Sequence, residues 1–346
     1  MDGSIISLVI ALAIVLIAAR AAGYLAAKAG QPAVLGELAA GLVLGNLTLA
    51  GYSGLSYLRT AASVDLLAQI GVVLLLFQVG LDLTVSHMRR VGRASVLVAV
   101  CGVAGSFAAG WTVSRLLMPS ASSFAHIFLG ATLIATSVGV SARMLKELGR
   151  TTQAEAHVIL GAAVVDDVIG LVVLAVMGAS MAVSLSRFAG VAIMIAAFAG
   201  GLAVDERRSI AVAAVVDPIA AWLVPVFFLV MGLRADLSVF AQPGVIGIAA
   251  ALFAAAIIGK LCCAAGLLGA GGQGIDRLAV SVGMFPRGEV ELIFANLGLT
   301  LAVAGQPVIS PSIFSAIVVT VMATTFMTPP VLKWSFERVS TARRRS

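Results

Sequence analysis

Two adjacent aspartates, Asp166 and Asp167, stand inside "GAAVVDDVIGLVVLAV" (161–176), a run otherwise made of apolar residues and glycine. An ionised carboxylate in a low-dielectric surround is costly, and a second one beside it adds repulsion. At the centre of a membrane helix each charge costs roughly 2.5–3.5 kcal/mol on insertion scales, so such groups are functional candidates by default. Neighbouring residues on a helix project about 100° apart, and one face cannot present both. The expected arrangement has one carboxylate facing a water-filled cavity and the other facing a partner. Lys260, in the middle of the apolar stretch "AAAIIGKLCCAAG", is the expected partner. Carboxylates so placed bind a proton or, through oxygen, a hard monovalent cation, and the two compete. The alternative is a buried ion pair that fixes helix packing, but packing needs one aspartate and the sequence supplies two.

Two further stretches have residues that interrupt helices. "LIATSVGVSARML" (133–145) gathers Thr136, Ser137 and Ser141 around Gly139, and "SVGMFPRGEVELIF" (281–294) carries Gly283, Pro286 and Gly288. Proline removes a backbone donor and glycine permits unusual φ. Non-helical backbone at membrane depth is tolerated only where it is buried in protein or lines a water cavity. Two interrupted segments at matching places in two halves of a chain point to an ion site near the bilayer midplane; a simple proline kink is the alternative. Arg287, Glu289 and Glu291 follow the second break, and Arg287 and Glu291 have the i,i+4 spacing of a helical ion pair. Charge compensation beside the broken helix is their expected role, ahead of direct ion relay. Glu37 and Asp65 read as caps or cavity walls, Asp82 and Asp236 as helix-end residues, and His87, His126 and His157 as solvated groups at segment ends.

These groups must be positioned by membrane helices. The chain has 346 residues, of which 61% are hydrophobic and 11% charged, well below the roughly 25% charge of ordinary soluble domains. Its apolar runs reach the length of about 20 residues that spans a bilayer, and no ten-residue alternation of a transmembrane barrel is present. The expected fold is an all-α polytopic membrane protein. About eleven transmembrane helices are expected, near 4–27, 33–50, 63–85, 92–117, 124–147, 154–182, 187–204, 218–236, 245–270, 276–299 and 309–334. The stretch 205–218 reads as a loop with a short interfacial piece. The first segment lacks a basic leader and reads as a span, not a cleaved signal.

Most basic residues fall in odd-numbered connections and the C-terminal tail, including Arg89, Arg90, Arg93, Arg207 and Arg208. Even-numbered connections hold only Arg59, Arg115, Arg187 and Arg234. By the positive-inside bias the N-terminus is outside and the C-terminus cytoplasmic. The net charge of +6 does not point to nucleic acid, since no basic stretch is interleaved with aromatics. Cys101, Cys262 and Cys263 have no metal-ligand spacing and read as small buried residues. No motif of a soluble-type enzyme is present, and no cofactor is expected. Two echoes recur in order: "LLLFQVGLDLTV" (74–85) with "VFFLVMGLRADLSV" (226–239), and "GELAAGLVLG" (36–45) with "MIAAFAGGLAV" (194–204). They suggest a duplicated transporter architecture, although Gly-Leu-rich membrane helices also look alike.

Taken together, these segments with "QPAVLGELAAGLVLGN" (31–46), "ATSVGVSARMLKELG" (135–149), "PIAAWLVPVFFLVMGLRADL" (218–237), "IIGKLCC" (257–263) and "GMFPRGEVELIFANLG" (283–298) resemble the cation:proton antiporter superfamily. Within it they resemble bacterial sodium/proton antiporters of the NapA-like and Kef-like branch. The resemblance implies an inverted-repeat fold with two crossed, discontinuous helices, matched around Ser137 and Pro286. It implies an ion-carrying part, tentatively 63–182 and 245–299, and a panel-like dimerisation and scaffold part, 1–50, 187–236 and 309–334. It places cation and proton binding at Asp166 and Asp167 with Thr136 and Ser137. Asp167 matches the sodium-binding residue, and Asp166 matches the one that pairs with Lys260 and shares in proton carriage.

An Asp-Asp pair with that lysine resembles electrogenic members, whereas electroneutral relatives typically show Asn-Asp. Homodimers in the inner membrane and elevator-like alternating access are also implied. The chain departs from the usual thirteen spans: between the Asp-Asp helix and "AAFAGGLAV" two helices are expected to be absent. With the chain stopping at "RRRS", the C-terminal nucleotide-binding domain that Kef-like members often carry is expected to be absent. The expected activity is sodium (or lithium)/proton antiport. A potassium/proton antiporter, a non-transporting membrane homologue and an organic-anion symporter are the rivals, the last disfavoured by a lysine facing two acids.

Overall fold

The structure is a computed structural model that describes residues 5–82, 92–180, 185–269, 274–303 and 306–345. His87, Arg89, Arg90 and residues 83–85 of the first echo lie outside the described residues. In chain order the helices are α1 (Ile5–Lys28), α2 (Ala33–Gly45), α3 (Ala62–Asp82), α4 (Arg93–Leu117), α5 (Ser123–Thr132), α6 (Val138–Glu147) and α7 (Ala154–Ser180). They continue with α8 (Leu185–Leu202), α9 (Glu206–Arg234), α10 (Val245–Leu261), α11 (Cys263–Gly269), α12 (Arg277–Gly283), α13 (Glu289–Thr300) and α14 (Pro311–Arg345). A two-residue antiparallel pairing, Ala302↔Pro307 and Val303↔Gln306, is the sole strand contact among the described residues. Seven stretches of helix among the described residues are long and apolar enough to cross a membrane, and α2, α5 and part of α8 (Ala192–Leu202) are shorter apolar helices.

The stretch 205–218, expected as a loop, is instead helical from Glu206 onward and forms the first half of the continuous α9. The run of alanine, valine and isoleucine before Pro218 carries the helix. A single proline costs one backbone bond, which membrane helices tolerate through local adjustment.

The helices form two units. The first contains α1, α2, α3, α8 and α9; the second contains α4 to α7 and α10 to α14. The division differs from the expected one. Helix α3 packs with α8 and α9, and α14 packs with α10, α12 and α13.

In the first unit glycine sets the helix spacing. A Cβ on Gly41 of α2 would meet the Leu229 carbonyl of α9 at 1.9 Å, and one on Gly232 of α9 would meet the Leu38 carbonyl of α2 at 2.1 Å. The same reciprocity joins α3 to α8, where a Cβ on Gly80 would meet the Phe198 carbonyl at 2.3 Å and one on Gly201 the Phe77 carbonyl at 2.2 Å. Helices α2 and α8 carry one echo, and α9 and α3 the other. Each copy of one motif therefore packs on a copy of the other, a pairing that a duplicated architecture produces.

Several isolated polar residues also find their places in this unit. Arg20 of α1 donates to the Ala221 carbonyl at 2.7 Å and lies over the Trp222 ring. Ala221 is four residues before Pro225, whose missing N–H leaves that carbonyl without its helical donor. Glu37 is buried in the second turn of α2, whose N-cap is Pro32, so it is not a cap. Asp65, in the first turn of α3, pairs with Arg234. Asp236 caps the turn Leu237–Ala241 by accepting from the Ser238 N–H at 2.9 Å. Gln78 of α3 donates to Asp217 of α9 at 2.8 Å.

In the second unit, small residues on one side of α4 admit its neighbours. Beta carbons on Gly102 and Gly105 would lie 2.5 Å from Cys263 Sγ and 2.6 Å from the Gly259 carbonyl. The apolar core joins Val140 and Met144 of α6, Ile159 of α7, Val280 of α12 and Leu332 of α14. Cys263 is buried there as expected, but Cys262 is exposed at the junction of α10 and α11. His126, expected to be solvated, is 1% exposed, and its Nδ1 lies 2.7 Å from Ser114 Oγ. It sits one turn into α5, on the side that packs on α4. His157 is exposed, with Nδ1 2.8 Å from the Gln153 carbonyl.

Candidate functional site

Both interrupted segments lie in the second unit and have non-helical backbone at their centres. Residues 133–137 separate α5 from α6, and 284–288 separate α12 from α13. Ser137 is extended (φ −72°, ψ 108°) and caps α6 by accepting from the Val140 N–H at 3.5 Å. The two breaks touch: the Ser137 N–H donates to the Pro286 carbonyl at 2.9 Å. Gly288 makes that approach possible, since a Cβ there would lie 2.7 Å from Ser137 Cβ.

Unwinding strips carbonyls of their helical donors, and a buried carbonyl needs a replacement. Two buried cations supply several. Lys260, in the last turn of α10, donates to the Ile134 carbonyl at 2.6 Å. Arg287 donates through one terminal nitrogen to the Leu133 and Ala135 carbonyls, and through the other to the Ala256 carbonyl of α10 at 2.8 Å. Hydroxyls serve the second break. Ser141 donates to the Gly283 carbonyl at 2.9 Å and Thr325 of α14 to the Arg287 carbonyl at 2.8 Å.

The aspartates of α7 are held unequally. Asp166 Oδ2 is bonded to Lys260 Nζ and, at 2.9 Å, to Thr136 Oγ1. Thr136 Oγ1 also lies 3.1 Å from the Met284 carbonyl. A hydroxyl has one proton, so it serves one acceptor fully at a time. Asp166 Oδ1 and Asp167 Oδ1 are buried with no hydrogen-bond partner. Asp167 is within electrostatic reach of Glu289, Asp166 and Lys260.

Of the remaining expected residues, Glu289 joins the first break by accepting from Ser137 Oγ at 3.1 Å. Glu291 does not join the aspartates. Its Oε2 lies 3.7 Å from Arg287 Nε, and neither of its oxygens is hydrogen-bonded. Among the described residues no group of three or more His, Cys, Asp or Glu side chains is placed to hold a metal. Thr325 is absent from the sequence-based set. Its one signal is position: it lies in a hydroxyl-rich run, "TTFMTPP", four residues before a proline.

The family model for the transmembrane sodium/hydrogen exchanger matches residues 10–189 and 174–334. The high-affinity Na(+)/H(+) antiporter NhaS3 of Synechocystis is 29% identical over 422 aligned positions, covering 95% of this chain and 89% of NhaS3. The Na(+)/H(+)-K(+) antiporter GerN of Bacillus cereus is 30% identical over 383 positions, covering 94% of this chain and 95% of GerN. The solved sodium proton antiporter MjNhaP1 of Methanocaldococcus jannaschii shares the fold, with a TM-score of 0.67 at 15% identity over 97% of this chain and 98% of that one.

Both sequence alignments are longer than the chain itself, so these relatives contain residues with no counterpart here. The two family matches overlap at 174–189, in the region of the join between α7 and α8.

Proposed function

This chain belongs to the sodium/hydrogen exchanger family, and on that premise we propose that it exchanges sodium or lithium for protons at Asp166 and Asp167. The unequal holding of the two aspartates carries the reading. Asp166 is tied to Lys260 and Thr136, while Asp167 has a buried oxygen with no donor. A buried acceptor left without a donor loses hydrogen-bonding energy that a proton or a bare cation can return. Asp167 is therefore the residue that takes the cation, with Asp166 Oδ1 as the adjacent oxygen. The hydroxyls of Thr136 and Ser137 and the carbonyls of the breaks complete an oxygen site for a hard monovalent ion.

Thr136 links the state of Asp166 to the second break. When Asp166 is ionised, Thr136 donates to it. When Asp166 carries a proton, the carboxyl donates to Thr136, and the Thr136 proton turns to the Met284 carbonyl. Proton and cation then compete for one pair of carboxylates. Alternating access carries the loaded pair across the membrane, and two acids set against Lys260 fit electrogenic exchange of more than one proton per cation. Arg287, Glu289 and Glu291 support the breaks. The protein works as a homodimer in the inner membrane, with its N-terminus outside and C-terminus cytoplasmic.

The test is sodium-driven proton flux in proteoliposomes. Wild-type protein dissipates an imposed pH gradient on addition of sodium or lithium, and Asp167→Asn does not; flux at the wild-type rate from Asp167→Asn overturns the site assignment. GerN is described as also acting on potassium, which makes potassium/proton exchange the second reading. Competition between sodium and potassium in the same assay separates the two.

A further inference from the structure

Four threonines of α14 are buried among the described side chains: Thr320, Thr324, Thr325 and Thr328. Three of them donate back to their own helix: Thr320 to the Ala316 carbonyl at 2.8 Å, Thr324 to Thr320 at 2.9 Å and Thr328 to Thr324 at 2.6 Å. Such back-bonding adds no link to another element. Thr325 differs. Its hydroxyl leaves the helix and donates to the Arg287 carbonyl at 2.8 Å, inside the second break.

The helix runs on through this point, but its hydrogen-bond ladder loses two donors. Pro329 and Pro330 lie within α14, and neither has an N–H for the carbonyl four residues earlier. The first of those carbonyls belongs to Thr325 itself. The residue that reaches into the break is thus the one whose helical bond the proline removes.

Arg287 is the joint that Thr325 holds. Its guanidinium bonds the Leu133, Ala135 and Ala256 carbonyls, and the next residues of the first break are Thr136 and Ser137. We propose that Thr325 is a positioning residue for ion exchange: by fixing the Arg287 peptide it sets, through the guanidinium, the backbone that aims Thr136 at Asp166. The inference rests on the reading of Asp166 and Asp167 as the exchange site.

The experiment compares Thr325→Val, Thr325→Ser and Thr324→Val in proteoliposomes, with wild type and Asp167→Asn in the same series. Apparent KM for sodium and the pH of half-maximal exchange are read, together with thermal unfolding. Loss of one buried hydrogen bond at a positioning contact is expected to raise the KM for sodium about tenfold in Thr325→Val and to shift its pH profile. Thr325→Ser keeps the hydroxyl and should match wild type, as should Thr324→Val, whose bond stays within its helix.

A purely structural role would lower the melting temperature or the yield and leave KM and pH profile alone; that result overturns the inference. So does an equal KM rise in Thr324→Val. If Thr325→Val is not recovered folded, Thr325→Ala against Thr325→Ser carries the same contrast. An active Asp167→Asn sinks the underlying site reading instead, whatever Thr325 does.

Discussion

Each unit of the molecule has a cation at a gap in helical backbone, and the two units use it differently. In the first unit, Arg20 fills the vacancy that Pro225 leaves at the Ala221 carbonyl, stacks on Trp222 and stops there. In the second, Lys260 and Arg287 bond carbonyls of a fully unwound stretch, and Lys260 also bonds Asp166. A cation on orphaned carbonyls is therefore scaffolding common to both units. What distinguishes the second is carboxylate oxygens left without donors beside that scaffold, on Asp166, Asp167 and Glu291, of which the aspartates are the two on α7 that face Lys260 and the first break.

The helix contacts differ in the same sense. Glycines bring continuous helices together at backbone distance in both units, and in the second Gly288 also brings two breaks together.

The largest expected difference is between Lys260→Ala and Arg20→Ala. Removing Lys260 leaves Asp166 buried without its counter-charge, a loss of about 3–5 kcal/mol, and should abolish exchange or change its coupling and pH profile. Removing Arg20 takes the donor from one exposed carbonyl, a smaller loss, with exchange per folded molecule unchanged. Flux assays beside thermal unfolding decide this; equal loss of exchange in both variants breaks the comparison.

The glycines sharpen it. Gly232→Leu should destabilise the first unit by about 1–3 kcal/mol or more through overpacking, seen as a lower melting temperature. Gly288→Ala should reduce exchange more than it reduces stability, because it pushes the two breaks apart. The smallest effect is expected at Asp236, whose cap is worth about 0.5–2 kcal/mol. Asp236→Ala should lower the melting temperature slightly and leave sodium KM where it was.

The elements of this comparison were unevenly legible in the sequence. Asp166, Asp167 and Lys260 stand out because charge is costly in an apolar run, and the breaks show through Pro286 and its flanking glycines. Partners are harder to read, because most of them are backbone carbonyls, which carry no sequence signature. The Arg20 contact has a trace in the proline four residues after Ala221. The Thr325 contact has less, since threonine is nearly neutral in hydropathy and its acceptor lies 38 residues away. The first half of α9 reads as a loop because its own apolar run is too short to span, and the run continues through Pro218 because a membrane helix tolerates a proline. His126 was misread because a place near a segment end says nothing about which face of α5 it occupies. The echoes suggest a duplication, but they do not say that each copy of one motif packs on a copy of the other.

The central claim is that the donor-free oxygens of the aspartate pair exchange cation for proton, with Asp167 as the cation ligand. Electrical current from protein in proteoliposomes on a supported membrane, recorded on jumps of sodium, lithium and potassium, tests it most directly. The account predicts a current on sodium and lithium jumps in wild type and none in Asp167→Asn recovered folded. A current of wild-type size from Asp167→Asn contradicts it.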